Sequence, residues 1–196
     1  MHDMMDKHGY VFSPYNPYEI IRNKYISYAE IMKLKMFEDC FEKLYNSERF
    51  KYSLELLVRY FDSPFEMYEK ISLYFDEKKL TFQSISSKNL YNLLYEFAEE
   101  IINEDNLDQL GEKLLLDYYC SEKSEIIPLA LKKYVPLNKQ TSALTKTLLH
   151  EKNLHREKTL IVRYIRDKAY LMDYAKKHPV TGRYSVIDAF HIDIER

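Results

Sequence analysis

The spacing of the apolar residues constrains this chain most, because the spacing changes once along its 196 residues. From residue 27 to about residue 120, apolar residues recur every three or four positions, the period of an amphipathic α-helix. After Lys158, short β-branched and aromatic runs at 159–165 and 169–174 predict a hairpin, and an alternating run follows at 184–194. We therefore predict a mostly α, α+β fold: a multi-helix domain followed by a small C-terminal three-stranded antiparallel sheet.

Local capping signals indicate where the helices begin. Ser27 and Glu30 fit a capping box, and Ser63 precedes a proline at the first helical position. Ser86 or Ser87 is expected to cap the fourth helix. The apolar stripes that follow are predicted to face the core. They comprise Leu34, Phe37, Phe41 and Leu44; Leu54, Leu57, Val58 and Phe61; Phe65, Tyr68, Ile71 and Phe75; Leu90, Leu93, Leu94, Phe97 and Ile101; and Leu107, Leu110, Leu114 and Tyr118.

The chain is divided into three predicted segments. Residues 1–26 are expected to be extended, because two prolines remove backbone donors and bias the residues before them away from helix. Residues 27–157 form the predicted helical domain, which includes a sixth helix at about 139–150. Residues 158–196 form the predicted β-meander, packed on the helices.

Charge is unevenly distributed along the chain. Residues 62–125 contain 15 acidic and 6 basic residues, whereas residues 132–183 contain 13 basic and 4 acidic residues. Two interpretations stay open. In the first, the two halves lie against each other or simply have solvated faces. In the second, the basic part contacts RNA or an acidic neighbour. The net charge of -2 predicts no general attraction to nucleic acid or to an anionic membrane.

Sequence motifs for cofactor chemistry are missing. Gly9, Gly111 and Gly182 stand alone, so there is no glycine-rich phosphate loop. Cys40 and Cys120 are too far apart for a cluster motif and are predicted to be buried free thiols, typical of a reducing cytoplasm. The sequence contains no run of about 18 apolar residues, so we predict no membrane-spanning helix. We therefore predict no catalytic, cofactor-binding or metal-binding residue in this chain.

Histidines and paired carboxylates are interpreted as structural or solvent-exposed. His150 and His155 are five residues apart, whereas a helical zinc motif needs a spacing of four to place both rings on one face. His191 is expected to lie on an edge strand. Glu99 and Glu100 are expected to face solvent rather than to act as a general acid pair.

The first third of the chain resembles a C-terminal domain of unknown function found in radical-SAM proteins that also carry an N-terminal cobalamin-binding domain. The resemblance is good over about the first 75 residues and looser beyond. It rests on the segments YVFSPYNPYE at 10–19, KYISY at 24–28, LKMFE at 34–38 and YNSERF at 45–50, and more weakly on SPF at 63–65 and FHID at 190–193.

This resemblance implies a larger parent protein, and the free thiols predict that it is cytoplasmic. Such parents are often labelled by analogy with the anaerobic magnesium-protoporphyrin IX monomethyl ester oxidative cyclase. They are expected to hold a four-iron four-sulfur cluster, S-adenosylmethionine and cobalamin in upstream domains, and those domains would be this chain's partners. The cluster cysteines and S-adenosylmethionine contacts would lie upstream, so no family site residue is carried over. We expect the chain to be a fragment that continues from the upstream radical-SAM domain.

Three functions follow as hypotheses. The first is an accessory domain that helps enclose or select the parent's substrate; its expected interdomain contacts are Tyr10, Tyr15, Pro17 and Tyr18. The second is an RNA-binding appendage, in which basic and aromatic side chains bind phosphates and stack on bases. Its candidate residues are Tyr164, Arg166, Lys168, Tyr170, Arg183 and Tyr184. The third is a scaffold or dimerisation domain without substrate contact.

Overall fold

The computed structural model describes residues 6–80, 85–136, 141, 145–146 and 159–192. A helical turn at residues 6–8 precedes two short strands, β1 Val11–Phe12 and β2 Ile20–Arg22. Five α-helices follow: α1 Tyr28–Phe41, α2 Lys51–Leu57, α3 Pro64–Glu77, α4 Ser87–Glu99 and α5 Glu104–Ser121. A π-helical turn, Glu42–Asn46, extends α1, and 3₁₀ turns lie at Val58–Tyr60 and Leu129–Tyr134. The last strands are β3 Leu160–Ile165, β4 Lys168–Asp173 and β5 Ser185–His191.

The predicted capping residues begin their helices. Ser27 and Glu30 form the complete capping box, in which each side chain accepts a hydrogen bond from the other's backbone N–H. The hydroxyl of Ser63 accepts from a backbone N–H in the first turn of α3, and Ser86, rather than Ser87, does the same for α4. These caps satisfy N–H groups that have no partner within the helix. The predicted sixth helix lies mostly outside the described residues.

The core forms around α5, which packs against α2, α4, the 3₁₀ turn at Leu129–Tyr134 and β3. Leu110 and Leu114 of α5 are fully buried, and residues of β3 and β4 join the same apolar cluster. Several buried tyrosines have a hydrogen-bond partner for their hydroxyl group. Tyr118 donates to the carbonyl of Ile126 at 2.7 Å. The helices and the sheet therefore share one core.

The C-terminal sheet is a meander of order β3-β4-β5, with both pairs antiparallel. Arg163 lies opposite Tyr170, which in turn lies opposite Ala189. The backbone N–H of Arg166, in the β3–β4 turn, donates to the carbonyl of Tyr134 at 2.8 Å. This bond fixes one end of the sheet to the helical part, and the predicted fold class is confirmed.

Three residues of the predicted core stripes lie at the surface, and one of them is Ile101, which follows α4 and is 39% exposed. Leu34 in α1 exposes 54% of its area and Phe65 in α3 exposes 58%. The other side of each helix supplies the core instead; Met67, which was not in a predicted stripe, is 1% exposed. The predicted stripes were wrong at these three positions because spacing alone does not reveal which neighbouring elements cover a residue.

Candidate functional site

The hairpin formed by β1 and β2 stands on the surface next to α1. In its loop the backbone N–H of Ser13 donates to the carbonyl of Glu19 at 2.8 Å, and Pro17 follows a cis peptide bond. An ion pair between Glu19 and Lys35 ties the loop to α1. The hairpin therefore has a defined position although it contributes little to the core.

Aromatic side chains of this hairpin are unusually open to solvent. Tyr15 is 79% exposed and Tyr18 is 70% exposed. Pro17 is also exposed, whereas Tyr10 is half-buried, with its ring centroid 6.0 Å from that of His8. Single exposed apolar residues are ordinary, but a group of them is typical of an interaction site. Three of the four predicted contact residues thus lie where a partner could reach them.

Exposed apolar residues also lie on α1, next to the hairpin, and on α3. Ile26, which follows the hairpin, lines a groove of about 340 Å³ between these helices. The ring of Phe65 forms one wall and stacks on Phe37 with centroids 5.0 Å apart. We call this surface the aromatic face. Its exposed members are Tyr15 and Tyr18 on the hairpin and Leu34, Phe65 and Leu73 in the groove.

The six residues predicted as a basic and aromatic surface do not form one open patch. Tyr164 is buried, and its hydroxyl lies 2.7 Å from that of Thr145. Arg183 is buried at 9% exposure. Three others, Lys168, Tyr170 and Tyr184, are half-buried, so of the six only Arg166 is exposed.

Arg183 completes a buried polar cluster centred on Asp117 of α5. The Asp117 carboxylate is fully buried and accepts from Arg183 at 2.9 Å and from the hydroxyl and backbone N–H of Ser53 at 2.7 and 2.8 Å. Arg183 also donates to the carbonyl of Glu48 at 2.6 Å. Burial raises the pKa of Asp117, while Arg183 and Ser53 act to lower it. The cluster joins α2, α5 and the turn before β5, so it has a structural role.

Several ion pairs join the helical part of the chain to its C-terminal part. Arg166 pairs with Asp108 and, at 3.2 Å, with Glu112, both on α5. Arg163 pairs with Glu125 at 3.1 Å. Acidic residues of the middle of the chain thus neutralise basic residues of its C-terminal part. The interpretation that the two halves lie against each other is confirmed for these pairs.

Both thiols are buried and free, as predicted. Burial raises the pKa of Cys120 to about 11 and also raises that of Cys40, so neither thiol is activated as a nucleophile. Within the described ranges no group of three or more His, Cys, Asp or Glu side chains is arranged to hold a metal ion. His191 lies at the exposed end of β5, and its Nδ1 is 3.7 Å from a carboxylate oxygen of Asp167.

Glu99 and Glu100 are exposed, as expected. The pair His150 and His155 lies outside the described residues. None of the helices in the described part of the chain is long and apolar enough to cross a bilayer. Sequence reasoning missed Phe65 and Leu34 as surface residues; their membership of the SPF and LKMFE segments was the available signal.

The fold and its surface define an α+β domain in which helices are closed by a β-meander and an aromatic face is left open. The chain belongs to the family described as protein of unknown function (DUF4080), whose family model matches residues 6–195. No curated protein and no solved structure gives a significant match to the chain.

Proposed function

We propose that this domain is an accessory part of a cobalamin-dependent radical-SAM enzyme and that it docks onto the upstream domains through its aromatic face. The observation that carries the proposal is the exposure of Tyr15 and Tyr18 on a hairpin that is nevertheless anchored to α1. Tyrosine is suited to interfaces because a large apolar ring carries one polar group. The docked domain would help to enclose or select the substrate, since radical intermediates need a site with little water.

Two measurements test the docking. The gene is first read upstream of Met1 for an in-frame Cys-x-x-x-Cys-x-x-Cys motif and a cobalamin-type domain. Hydrogen–deuterium exchange is then compared between this chain alone and the chain mixed with the separately produced upstream domains. We expect slower exchange at the hairpin and the start of α1 in the mixture, because docking would cover their backbone amides.

A double variant and a matched control make the test specific. Tyr15→Ser with Tyr18→Ser should weaken association, whereas Val180→Ser, which alters an equally exposed apolar residue in the turn before β5, should not. Unchanged exchange at the hairpin, or equal weakening by both variants, would refute docking through this face.

Self-association through the same face is the second candidate function, because an exposed apolar surface can also pair with its own copy. Analytical ultracentrifugation of this chain at several concentrations distinguishes self-association from docking onto the upstream domains. A dimer that Tyr15→Ser with Tyr18→Ser converts to a monomer would favour the scaffold function. A monomer that binds the upstream domains favours the accessory function.

RNA binding gains less support from the described residues. It needs positive charge free to meet phosphate, yet Arg166 and Arg183 both form ion pairs with carboxylates of α5. Binding of mixed transfer RNA that weakens steeply with salt would restore this alternative.

A further inference from the structure

A second surface feature lies beyond the aromatic face, at the C-terminal end of α1. There a cavity of about 590 Å³ opens between the π-helical turn, α2 and the start of α3. Its floor is apolar and includes the buried Leu44, Leu54 and Met67. A volume of this size is typical of small-molecule sites.

The backbone around the cavity departs from regular helix. The π-helical turn Glu42–Asn46 lies at its edge, and such turns occur frequently at functional sites. Two residues further on, Glu48 has a left-handed φ of 56°, which a non-glycine residue adopts rarely. The bond from buried Arg183 to the carbonyl of Glu48, at 2.6 Å, holds this conformation. The fold thus maintains a strained backbone at the edge of the cavity.

Three aromatic rings form one wall. Phe41 stacks on Tyr45 with centroids 4.8 Å apart and meets Tyr68 edge-on at 5.1 Å. Tyr45 is 56% exposed, so its ring is open to solvent. Tyr68 is 4% exposed, so it forms the inner part of this wall. The faces of such rings attract cations.

The rim carries three charged side chains, Glu48, Lys51 and Glu55. None of the three forms an ion pair with another described residue. Two carboxylates against one ammonium give the rim one net negative charge. The rim and the aromatic wall therefore both favour a positively charged ligand.

We infer that this cavity binds a small amphiphilic cation, a molecule with an apolar or aromatic body and one amine. The body would lie against the apolar floor, and the ammonium would lie between the ring of Tyr45 and the carboxylates of Glu48 and Glu55. An anion would meet one favourable charge, that of Lys51, and two unfavourable ones. The inference does not depend on docking, because the residues of the cavity are not members of the aromatic face.

Three probes of one shape test the charge preference on the whole chain. 3-Phenylpropylamine, 3-phenylpropanol and 3-phenylpropionate differ in one terminal group, which is positive, neutral or negative. Binding of each is measured by calorimetry and by ligand-observed NMR. We expect the amine to bind most tightly and the carboxylate most weakly. Equal binding of all three, tightest binding of the alcohol or the carboxylate, or no binding of any at millimolar concentrations would overturn the inference.

Variants at exposed positions locate the site without threatening the fold. Glu55→Gln should weaken amine binding about threefold and leave alcohol binding unchanged, because an exposed charge pair contributes modestly. Tyr45→Ala should weaken amine binding by a similar factor of about three, through loss of the cation–π contact. Glu77→Gln, at an exposed position outside the cavity, should have no effect. Amine binding that is unaffected by Glu55→Gln and Tyr45→Ala would place the amine elsewhere and refute the assignment.

Discussion

Gly111 provides the sharpest test of the packing, because Tyr134 occupies the space where its side chain would be. A Cβ at this position would lie far closer to the Cε2, Cζ and Oη atoms of Tyr134 than the 3.4 Å or more of ordinary contact. The Tyr134 hydroxyl is held in place, 2.9 Å from that of Tyr95 and 3.0 Å from an oxygen of Asp108. Gly111→Ala must therefore displace a ring that is bonded at its far end.

The expected magnitude follows from opposing contributions. In an open helix, glycine to alanine would stabilise by about 1 kcal/mol. Overpacking costs about 1–3 kcal/mol, and each hydrogen bond that the displaced Tyr134 loses costs about 1 kcal/mol. We expect Gly111→Ala to lower the free energy of unfolding by about 3 kcal/mol. Urea unfolding followed by far-UV circular dichroism measures this difference.

Repeating the substitution in a Tyr134→Leu variant tests whether the clash with Tyr134 causes the loss of stability. Leucine lacks the three atoms of Tyr134 that would clash. When the chain already carries Tyr134→Leu, adding Gly111→Ala should therefore be neutral or should stabilise the fold by up to about 1 kcal/mol. The sign of the effect should thus reverse between backgrounds. Gly182→Ala is the control: its φ of 65° makes alanine unfavourable by about 1–2 kcal/mol with no atom nearby, in either background. A Gly111→Ala change that stabilises the parent chain, or that destabilises both backgrounds equally, would refute the reasoning.

Three further predictions concern charged residues. Arg166 lowers the pKa of Asp108, so the ionised carboxylate favours folding above about pH 4 and this contribution is lost as the pH falls through the lowered pKa. Asp108→Asn should therefore flatten the fall of the urea midpoint between about pH 4 and pH 2, and an unchanged slope would contradict this assignment. Arg183→Met should cost about 3–5 kcal/mol in urea unfolding, because it leaves the buried Asp117 without its counter-charge; a cost below about 1 kcal/mol would show that the cluster does not need the arginine. Glu125→Gln should cost less than about 1 kcal/mol, since its carboxylate is 82% exposed, and a larger loss would mean that its pair with β3 is not an ordinary surface pair.

Much of the fold could be predicted from the sequence because the signals are local. The hydroxyl of Ser27 and the N–H of Glu30 are three residues apart, so the cap forms within one turn of chain. The β3–β4 hairpin is equally local, with Ile165 opposite Lys168. The apolar period, the capping residues and the turn residues were therefore enough to predict five helices and the β-meander.

The sites could not be predicted in the same way, because they depend on residues far apart in the chain. Asp117 and Arg183 are 66 residues apart, and nothing near either one indicates that they meet in the core. A basic, tyrosine-rich tail has the same composition whether its arginines face RNA or carboxylates of α5. Which faces of α1 and α3 stay open is likewise decided by neighbouring helices.

The sequence by itself determined that this protein is a helical domain closed by a three-stranded meander, since helix caps and alternation act over a few residues. It also contained the tyrosines of the hairpin, but not their exposure. Only the tertiary structure decided that the two charged halves pair, that Gly111 makes room for Tyr134 and that a cavity opens beside the π-helical turn. The physical reason is that burial and ion pairing are set by which distant surfaces come together, and that information does not lie in any single stretch of the chain.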